Sequence, residues 1–220
     1  MKRSILLLTS ALALSASAWA NVDITYNGKS TSAPILKSSE TGSMAVGQLN
    51  YTDSVAGSFV AYCIEPSQIN AAASLGSQSY SVGSFTGAQA TLLQGLFSTH
   101  YASANDVTSQ AAFQFAVWEI MRETNPTLNV SLNQGSFYVR PKNATAGEVA
   151  IANNLSSLAN GYLSDAQSYS GPSLYSLTRL SNATYQDLVT ATPVPEPMSG
   201  AMLMSGLAVL GLLARRRMPR

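Results

Sequence analysis

Two apolar segments, one at each end of the 220-residue chain, confine the part that can fold as a water-soluble domain. The chain opens with "MKRSILLLTSALALSASAWA", in which two basic residues precede an apolar stretch and a small-x-small pattern ends at Ala20. This order is typical of a secretory signal peptide. The apolar run, roughly ten residues, is too short for an uncleaved membrane anchor, which takes about twenty. The sequence therefore predicts export, with cleavage after Ala20 by signal peptidase.

The other end reads "TPVPEPMSGAMLMSGLAVLGLLARRRMPR" and carries no charge between residues 198 and 214. Such a stretch, about seventeen residues, lies at the lower limit for spanning the hydrocarbon core of a membrane. An arginine cluster follows directly, and such clusters stay on the cytoplasmic side. The segment has no polar face, which argues against an amphipathic core helix. We therefore predict a transmembrane helix at 198–214 in an inner-membrane precursor, with the body facing outward.

The triplet Pro195-Glu196-Pro197 stands directly before this apolar segment and its arginines. The three features, in this order, resemble the PEP-CTERM sorting signal. The resemblance implies a Gram-negative bacterium that makes extracellular polysaccharide. It also implies an exosortase, a membrane-embedded cysteine protease-transpeptidase, that removes the tail. The predicted division is then a signal peptide at 1–20, a folded body at 21–190 and a sorting signal at 191–220.

The body has the size of one domain and is acidic. Residues 21–197 contain six basic and eleven acidic side chains, a net charge of −5, because the other six basic residues belong to the two ends. A nucleic-acid partner would need a basic surface to displace counterions, so the charge argues against nucleic-acid binding. Low charge together with ten tyrosines and six phenylalanines also argues against intrinsic disorder.

Hydrophobic periodicity gives the fold class. Alternation predicts strands at 22–26, 43–51, 57–65, 78–85, 133–141 and 173–180. Helical periodicity predicts helices at 87–100, after the N-cap Asp106, and after the N-cap Thr145 as far as 167. The segment "DLVTATPVP" at 187–195 is predicted to be a tether. The expected fold is α+β, an antiparallel β-sheet or sandwich with a helical insertion.

Cys63 is the only cysteine, which is unusual for an exported chain. It can be an inert buried residue, a reactive thiol or an intermolecular disulfide partner. A cysteine protease would use His100, the only histidine, which has no local signature. One cysteine and one histidine cannot complete a tetrahedral metal site, so no metal or other cofactor is predicted. No pair of carboxylates is singled out for hydrolysis either, which leaves an extracellular hydrolase as a weak third alternative.

An unpaired thiol has one further chemistry, because a thiolate beside a glutamine carboxamide can displace ammonia and form an internal thioester. "YCIE" places Cys63 at a strand end, and "FQFAVW" places Gln114 on a helix with Trp118 one turn later on the same side. Gln110 is a competing partner one turn upstream. Glu65 and Glu119 are both candidates for assisting proton transfer.

These two stretches resemble the thioester domains of bacterial surface adhesins. Tyr62-Cys63-Ile64-Glu65 matches their aromatic-Cys-Ile/Val-acid motif, and the residues from Gln114 to Trp118 match Gln-x-Ala-Ile/Val-Trp. Phe113 departs from the family, which has threonine there. The resemblance implies a thioester between Cys63 and Gln114, in a pocket formed by Tyr62, Glu65 and Trp118. It also implies covalent capture of an amine on a surface or matrix partner, once per molecule, so the protein is not expected to be an enzyme.

An alternative fits the same residues. In a non-covalent structural protein of the exopolysaccharide layer, Cys63 and Gln114 would only pack the core. Both interpretations place the mature protein at the cell surface or in the extracellular matrix. They differ in whether the Cys63 thiol meets the Gln114 carboxamide and reacts with it.

Overall fold

The computed structural model describes residues 21–195. The predictions for the signal peptide with its Ala20 cleavage site, for Glu196 and Pro197, and for a transmembrane helix at 198–214 lie outside the described residues. Pro195 is exposed at the end of the described part. Within residues 21–195, no helix combines the length and the apolar character needed to cross a bilayer.

The described chain forms nine strands and three α-helices. The strands are β1 Asn21–Lys29, β2 Ile35–Ser38, β3 Met44–Ala45, β4 Leu49–Asp53, β5 Gly57–Cys63, β6 Gln78–Gly83, β7 Val139–Arg140, β8 Tyr175–Ser181 and β9 Leu188–Pro193. The helices are α1 Gly87–His100, α2 Val107–Arg122 and α3 Ala146–Ser168.

Six strands close into an antiparallel barrel in the order β1-β4-β5-β9-β8-β6, since β6 pairs with both β8 and β1. The three short strands form a second sheet in the order β3-β2-β7. The α+β class with an antiparallel sheet and a helical insertion is confirmed. The main sheet is a closed barrel and not a sandwich, because the ninth strand joins its two edges.

That ninth strand corrects the predicted tether. β9 lies between β5 and β8, and its first residues, Leu188 and Val189, are fully buried. Two nearby prolines made the segment resemble a linker, yet Pro193 pairs with Tyr175 at the very end of the strand, where a missing N–H is tolerated. The folded body therefore continues past residue 190 to Pro193.

Two other strand predictions need correction. The predicted strand at 43–51 is interrupted by Gly47, whose φ of 151° separates β3 from β4. The predicted strand at 133–141 is strand only at Val139–Arg140, which pairs with the unpredicted strand β2. Both errors involve two-residue strands, β3 and β7, that exist because they pair with β2. Two residues are too few to show an alternation of apolar and polar side chains.

Helix α2 is central to the molecule. Asp106 caps it by accepting the backbone N–H groups of Thr108 and Ser109, and Ser109 completes a capping box. The helix is buried over most of its circumference because it packs against β5, α1 and α3. Helix α3 crosses α1 so closely that a side chain at Gly95 would lie 2.4 Å from the carbonyl oxygen of Ala166. Helices α1 and α3 thus pack closely on each other, and both also contact α2.

Candidate functional site

Cys63 is the last residue of β5 and has only 2% of its surface exposed. On one side it pairs with Leu188 of β9. On the other side the neighbouring strand β4 begins only at Leu49, opposite Ala61, so no strand lies beside Cys63. A buried backbone N–H and C=O at this position need partners from elsewhere.

Gln114 of α2 supplies both partners. The Cys63 backbone N–H donates to Gln114 Oε1 at 2.9 Å, and Gln114 Nε2 donates to the Cys63 carbonyl oxygen at 2.7 Å. The Gln114 side chain is itself buried, with 1% of its surface exposed. Its carboxamide therefore continues the hydrogen-bond ladder of β5 past Ala61, where β4 provides no partner.

The competing glutamine occupies a different place. Gln110 is half-buried, and its Cβ lies 3.8 Å from the position that a side chain at Gly47 would occupy. Among the described residues, Gln114 alone of the two glutamines is hydrogen-bonded to Cys63. The structure thus brings together the cysteine and the glutamine that the sequence motifs single out.

The Cys63 thiol is protonated at neutral pH. Burial raises its pKa to about 12, and the nearby Glu65 carboxylate adds to the rise. The Trp118 indole N–H, the Glu65 backbone N–H and the Lys29 ammonium act in the opposite direction. Trp118 Nε1 is buried and has no hydrogen-bond partner within residues 21–195. Its N–H is therefore free to stabilise negative charge that develops on the sulfur.

Tyr62, the residue before the cysteine, faces the other way. Its ring packs against Phe113 and Phe97 of the helices, with centroids 4.6 Å and 6.4 Å away. Because successive residues of a strand point to opposite faces, Cys63 points into the barrel while Tyr62 points out to the helices. Of the predicted pocket residues, Trp118 and Glu65 influence the thiol, and Tyr62 anchors the strand.

Glu65 belongs to an ion-pair network that sequence reasoning missed. Arg122, the last residue of α2, donates from Nη1 to Glu65 at 3.1 Å and from Nε to Glu40 at 3.0 Å. The sequence does show a basic residue at the end of the helix that carries Gln114 and an acid two residues after Cys63. It does not show that the two form an ion pair, because that depends on how the helix packs against the strand.

Glu119, the other candidate for proton transfer, lies on another face of α2. It is fully buried, its Oε1 accepts the Asn129 backbone N–H, and its Oε2 has no partner among the described residues. Five residues along a helix correspond to roughly 140° of rotation, which separates it from Gln114. Burial raises the pKa of Glu119 to about 8, against the opposing effect of the Asn129 hydrogen bond.

This raised pKa predicts a loss of stability with rising pH. The folded state keeps the Glu119 proton up to about pH 8, whereas the unfolded chain releases it near the ordinary glutamate pKa of 4.5. The stabilising contribution is therefore complete below pH 4.5 and falls as the pH rises through 8. Glu119→Gln stays neutral, and we expect its free energy of unfolding in urea to exceed that of the wild type by about 4 kcal/mol at pH 8. Asp23→Asn, at an exposed position, is the control, and equal pH dependence of Glu119→Gln and wild type would contradict the prediction.

Within residues 21–195, no three side chains of Cys, His, Asp and Glu converge as metal ligands. A cavity of about 470 Å³ lies beside the segment that follows Cys63, and its lining includes Lys29, Glu40, Ser67 and Asn70. Asn70 also accepts the Tyr51 hydroxyl at 3.0 Å.

Comparison with known proteins gives likeness of fold only. No protein-family model matches the chain, and no curated protein is significantly similar. The N-terminal domain of the Streptococcus pyogenes pilus tip adhesin Cpa is similar in structure, at 15% identity and a TM-score of 0.49 over 82% of this chain and 97% of that chain.

Two further solved structures are similar. The N-terminal thioester domain of a Clostridium perfringens surface protein has 14% identity and a TM-score of 0.46, over 80% of this chain and 100% of that chain. The N-terminal thioester domain of the fibronectin-binding protein SfbI of S. pyogenes has 17% identity and a TM-score of 0.42, over 77% of this chain and 98% of that chain. Likeness at this level does not transfer an activity, so the chemistry of Cys63 and Gln114 depends on their own geometry.

Proposed function

We propose that this is an exported cell-surface or extracellular-matrix protein in which Cys63 and Gln114 form an internal thioester that captures an amine on a partner. The observation that carries the proposal is the reciprocal pair of hydrogen bonds between the Gln114 carboxamide and the Cys63 backbone. These bonds hold the electrophile against the residue that bears the free, buried thiol.

Formation of the thioester uses the same hydrogen bonds. The Cys63 sulfur attacks Cδ of Gln114, and the negative charge that develops on Oε1 is met by the Cys63 backbone N–H at 2.9 Å. A preorganised donor of this kind is the usual means of stabilising a tetrahedral intermediate. The C–S bond forms in this intermediate, the thiol proton passes to Nε2, and the intermediate then collapses as the C–N bond breaks and ammonia leaves.

Burial has two opposite consequences for this reaction. It keeps the thiol protonated, which slows attack because the thiolate is the nucleophile. It also excludes water, which protects the finished thioester from hydrolysis. Loss of Nε2 removes the donor to the Cys63 carbonyl oxygen, and a buried unpaired acceptor costs about 1–3 kcal/mol. The thioester would therefore store a reactive carbonyl group, while the Cys63 carbonyl oxygen beside it lacks a hydrogen-bond donor.

Capture returns the thiol. The neutral amine of a partner, for example a lysine side chain, attacks the thioester carbonyl carbon. The C–S bond breaks, an amide bond to the former Gln114 side chain forms, and the amine proton moves to the sulfur. Each molecule reacts once. Because Cys63 is 2% exposed, the amine reaches it only after local opening of the surrounding segments.

Export and sorting belong to the same proposal. Signal peptidase would cleave after Ala20, the segment 198–214 would hold the precursor transiently in the inner membrane, and an exosortase would act at Pro195-Glu196-Pro197. The acidic body argues against anchoring by anionic lipid. The mature protein would then occupy the surface or matrix of a Gram-negative bacterium.

The second candidate is a non-covalent structural protein of the exopolysaccharide layer. One specific observation favours it: the two Gln114 bonds already complete the hydrogen bonding of β5, which is a sufficient reason for a buried glutamine. In that case the thiol, with its pKa raised to about 12, stays unreacted.

Intact mass spectrometry of the expressed protein tests the proposal. We expect the measured mass to be lower by one ammonia than the mass calculated from the sequence, after any removal of the two ends is taken into account. On denaturation Cys63 should resist alkylation until methylamine is added, after which the mass rises by one methylamine. Cys63→Ala should abolish these effects, and Gln110→Leu should retain them. A wild-type protein with the unmodified mass and a fully alkylated Cys63 would refute the thioester and leave the second candidate.

A further inference from the structure

We propose that Arg122 is a positioning residue that clamps helix α2 to the segment after Cys63 and so holds the Gln114 carboxamide on the cysteine. The clamp is a property of the fold. Its effect on chemistry rests on the proposed thioester.

The clamp consists of one guanidinium and two carboxylates. Arg122 Nε lies 3.0 Å and 3.2 Å from the two carboxylate oxygens of Glu40, and Nη1 lies 3.1 Å from Oε2 of Glu65. All three side chains are about one-third exposed or less, at 33%, 26% and 28%. The planar guanidinium presents its donors in a fixed fork, so it can bind two carboxylates at once with defined geometry.

The positions of these residues connect the clamp to the site. Glu65 follows Cys63 by two residues, and Arg122 follows Gln114 by eight on the same helix. Eight helical residues correspond to about 12 Å along the axis. Helix α2 is therefore tied to the end of β5 at two separate points, once by the Gln114 carboxamide and once by Arg122. Rotation or sliding of α2 along the barrel would break one of the two.

Glu40 adds a third element. It lies just after β2, in a turn that is itself fixed by hydrogen bonds from the Glu40 and Thr41 backbone N–H groups to the Ser38 hydroxyl. The clamp thus joins α2 and the β5 end to the small second sheet. Placement at this level matters because bond formation needs the reacting atoms within about 3–3.5 Å in an aligned geometry.

A positioning role differs from a general stabilising role in what it predicts. Partly exposed ion pairs contribute little to global stability. Removing the clamp should therefore leave the unfolding transition nearly unchanged while it loosens the contact between Gln114 and residue 63. The ion pair between Arg179 and Asp187, at 2.9 Å with 42% and 14% of the side chains exposed, is the control. It joins β8 to the segment before β9, whose Asp187 carbonyl accepts the Ile64 N–H, so it tests whether loss of any ion pair near the end of β5 has the same effect.

Hydrogen exchange at the residue-63 amide tests the clamp without any thioester. In full-length Cys63→Ala protein in detergent micelles, that amide still bonds Gln114 Oε1. We expect added Arg122→Met to raise its exchange rate by about tenfold, as local opening becomes easier. Arg122→Lys keeps the positive charge and Glu65→Gln keeps a hydrogen-bond acceptor, so both weaken the clamp only in part. They should give smaller increases. Arg179→Met should give none, and all variants should keep the melting temperature of the parent.

The second readout uses the Cys63 protein. There we expect Arg122→Met to slow thioester formation by about tenfold, measured by mass, with no such effect from Arg179→Met. If the wild type contains no thioester but exchange at residue 63 responds to Arg122→Met, the proposed function fails and the clamp stands. Equal exchange in Arg122→Met and Arg179→Met would overturn the clamp, whatever the mass shows.

Discussion

Gln114→Leu is expected to destabilise the protein by about 2–5 kcal/mol, because it leaves two buried backbone groups of Cys63 without partners. Leucine has nearly the volume of glutamine, so the change removes hydrogen bonds and creates little empty space. Urea unfolding at pH 7 measures the effect. No strand is available to replace the lost partners, since β4 begins only at Leu49, opposite Ala61.

Two variants sharpen this test. Gln110→Leu makes the same chemical change one turn earlier, at a half-buried position, and should alter stability by no more than about 0.5 kcal/mol. Gln114→Glu keeps the acceptor but can donate to the Cys63 carbonyl oxygen only when protonated. Burial would raise the pKa of the new carboxyl, so its stability should be highest at low pH and fall as the pH rises. A Gln114→Leu protein as stable as the wild type would show that the backbone of Cys63 finds other partners.

The result also bears on the two candidate functions. If the glutamine serves only the core, Cys63→Ala should cost far less than Gln114→Leu, because the thiol makes no backbone-satisfying bond. If the thioester forms, Cys63→Ala additionally changes the mass and the alkylation pattern. The structural and the chemical parts of the pair can therefore be separated with these two substitutions.

The parts of the fold that the sequence predicted correctly are those set by local interactions. Asp106 and Thr145 cap their own helices, and the helix bounds follow from such caps and from apolar spacing. The strands with clear alternation also appear as expected. Strand β9 and the closure of the barrel were missed because they depend on which distant strand each edge meets. A short alternating segment between prolines does not reveal that choice.

The site shows the same division. The motifs predicted the pairing of Cys63 with Gln114, and the structure places this carboxamide on Cys63. The manner of the contact, through the cysteine backbone, follows from the residue at which β4 begins, which is a matter of register. The Arg122 clamp was not predictable because Glu40, Glu65 and Arg122 are distant in sequence and belong to different elements.

Phe113→Thr is the second substitution expected to have a large effect. Phe113 is fully buried, and its ring centroid lies 4.6 Å from that of Tyr62 and 5.0 Å from that of Phe97. Removing the ring leaves a cavity in this aromatic cluster, and such losses cost about 3–5 kcal/mol. Urea unfolding should show this loss, and Phe113→Leu, which keeps more of the volume, should cost less than half as much.

The Phe113 substitution also tests how the site is supported. Tyr62 directly precedes Cys63, so a cluster that no longer holds Tyr62 lets the end of β5 move away from Gln114. If the proposed thioester forms, we expect less of it in Phe113→Thr than in Phe113→Leu under conditions in which both are folded. A Phe113→Thr protein with full stability and full thioester would mean that a threonine hydroxyl can replace the aromatic support. In that event the ring at position 113 would not be a structural requirement of this chain.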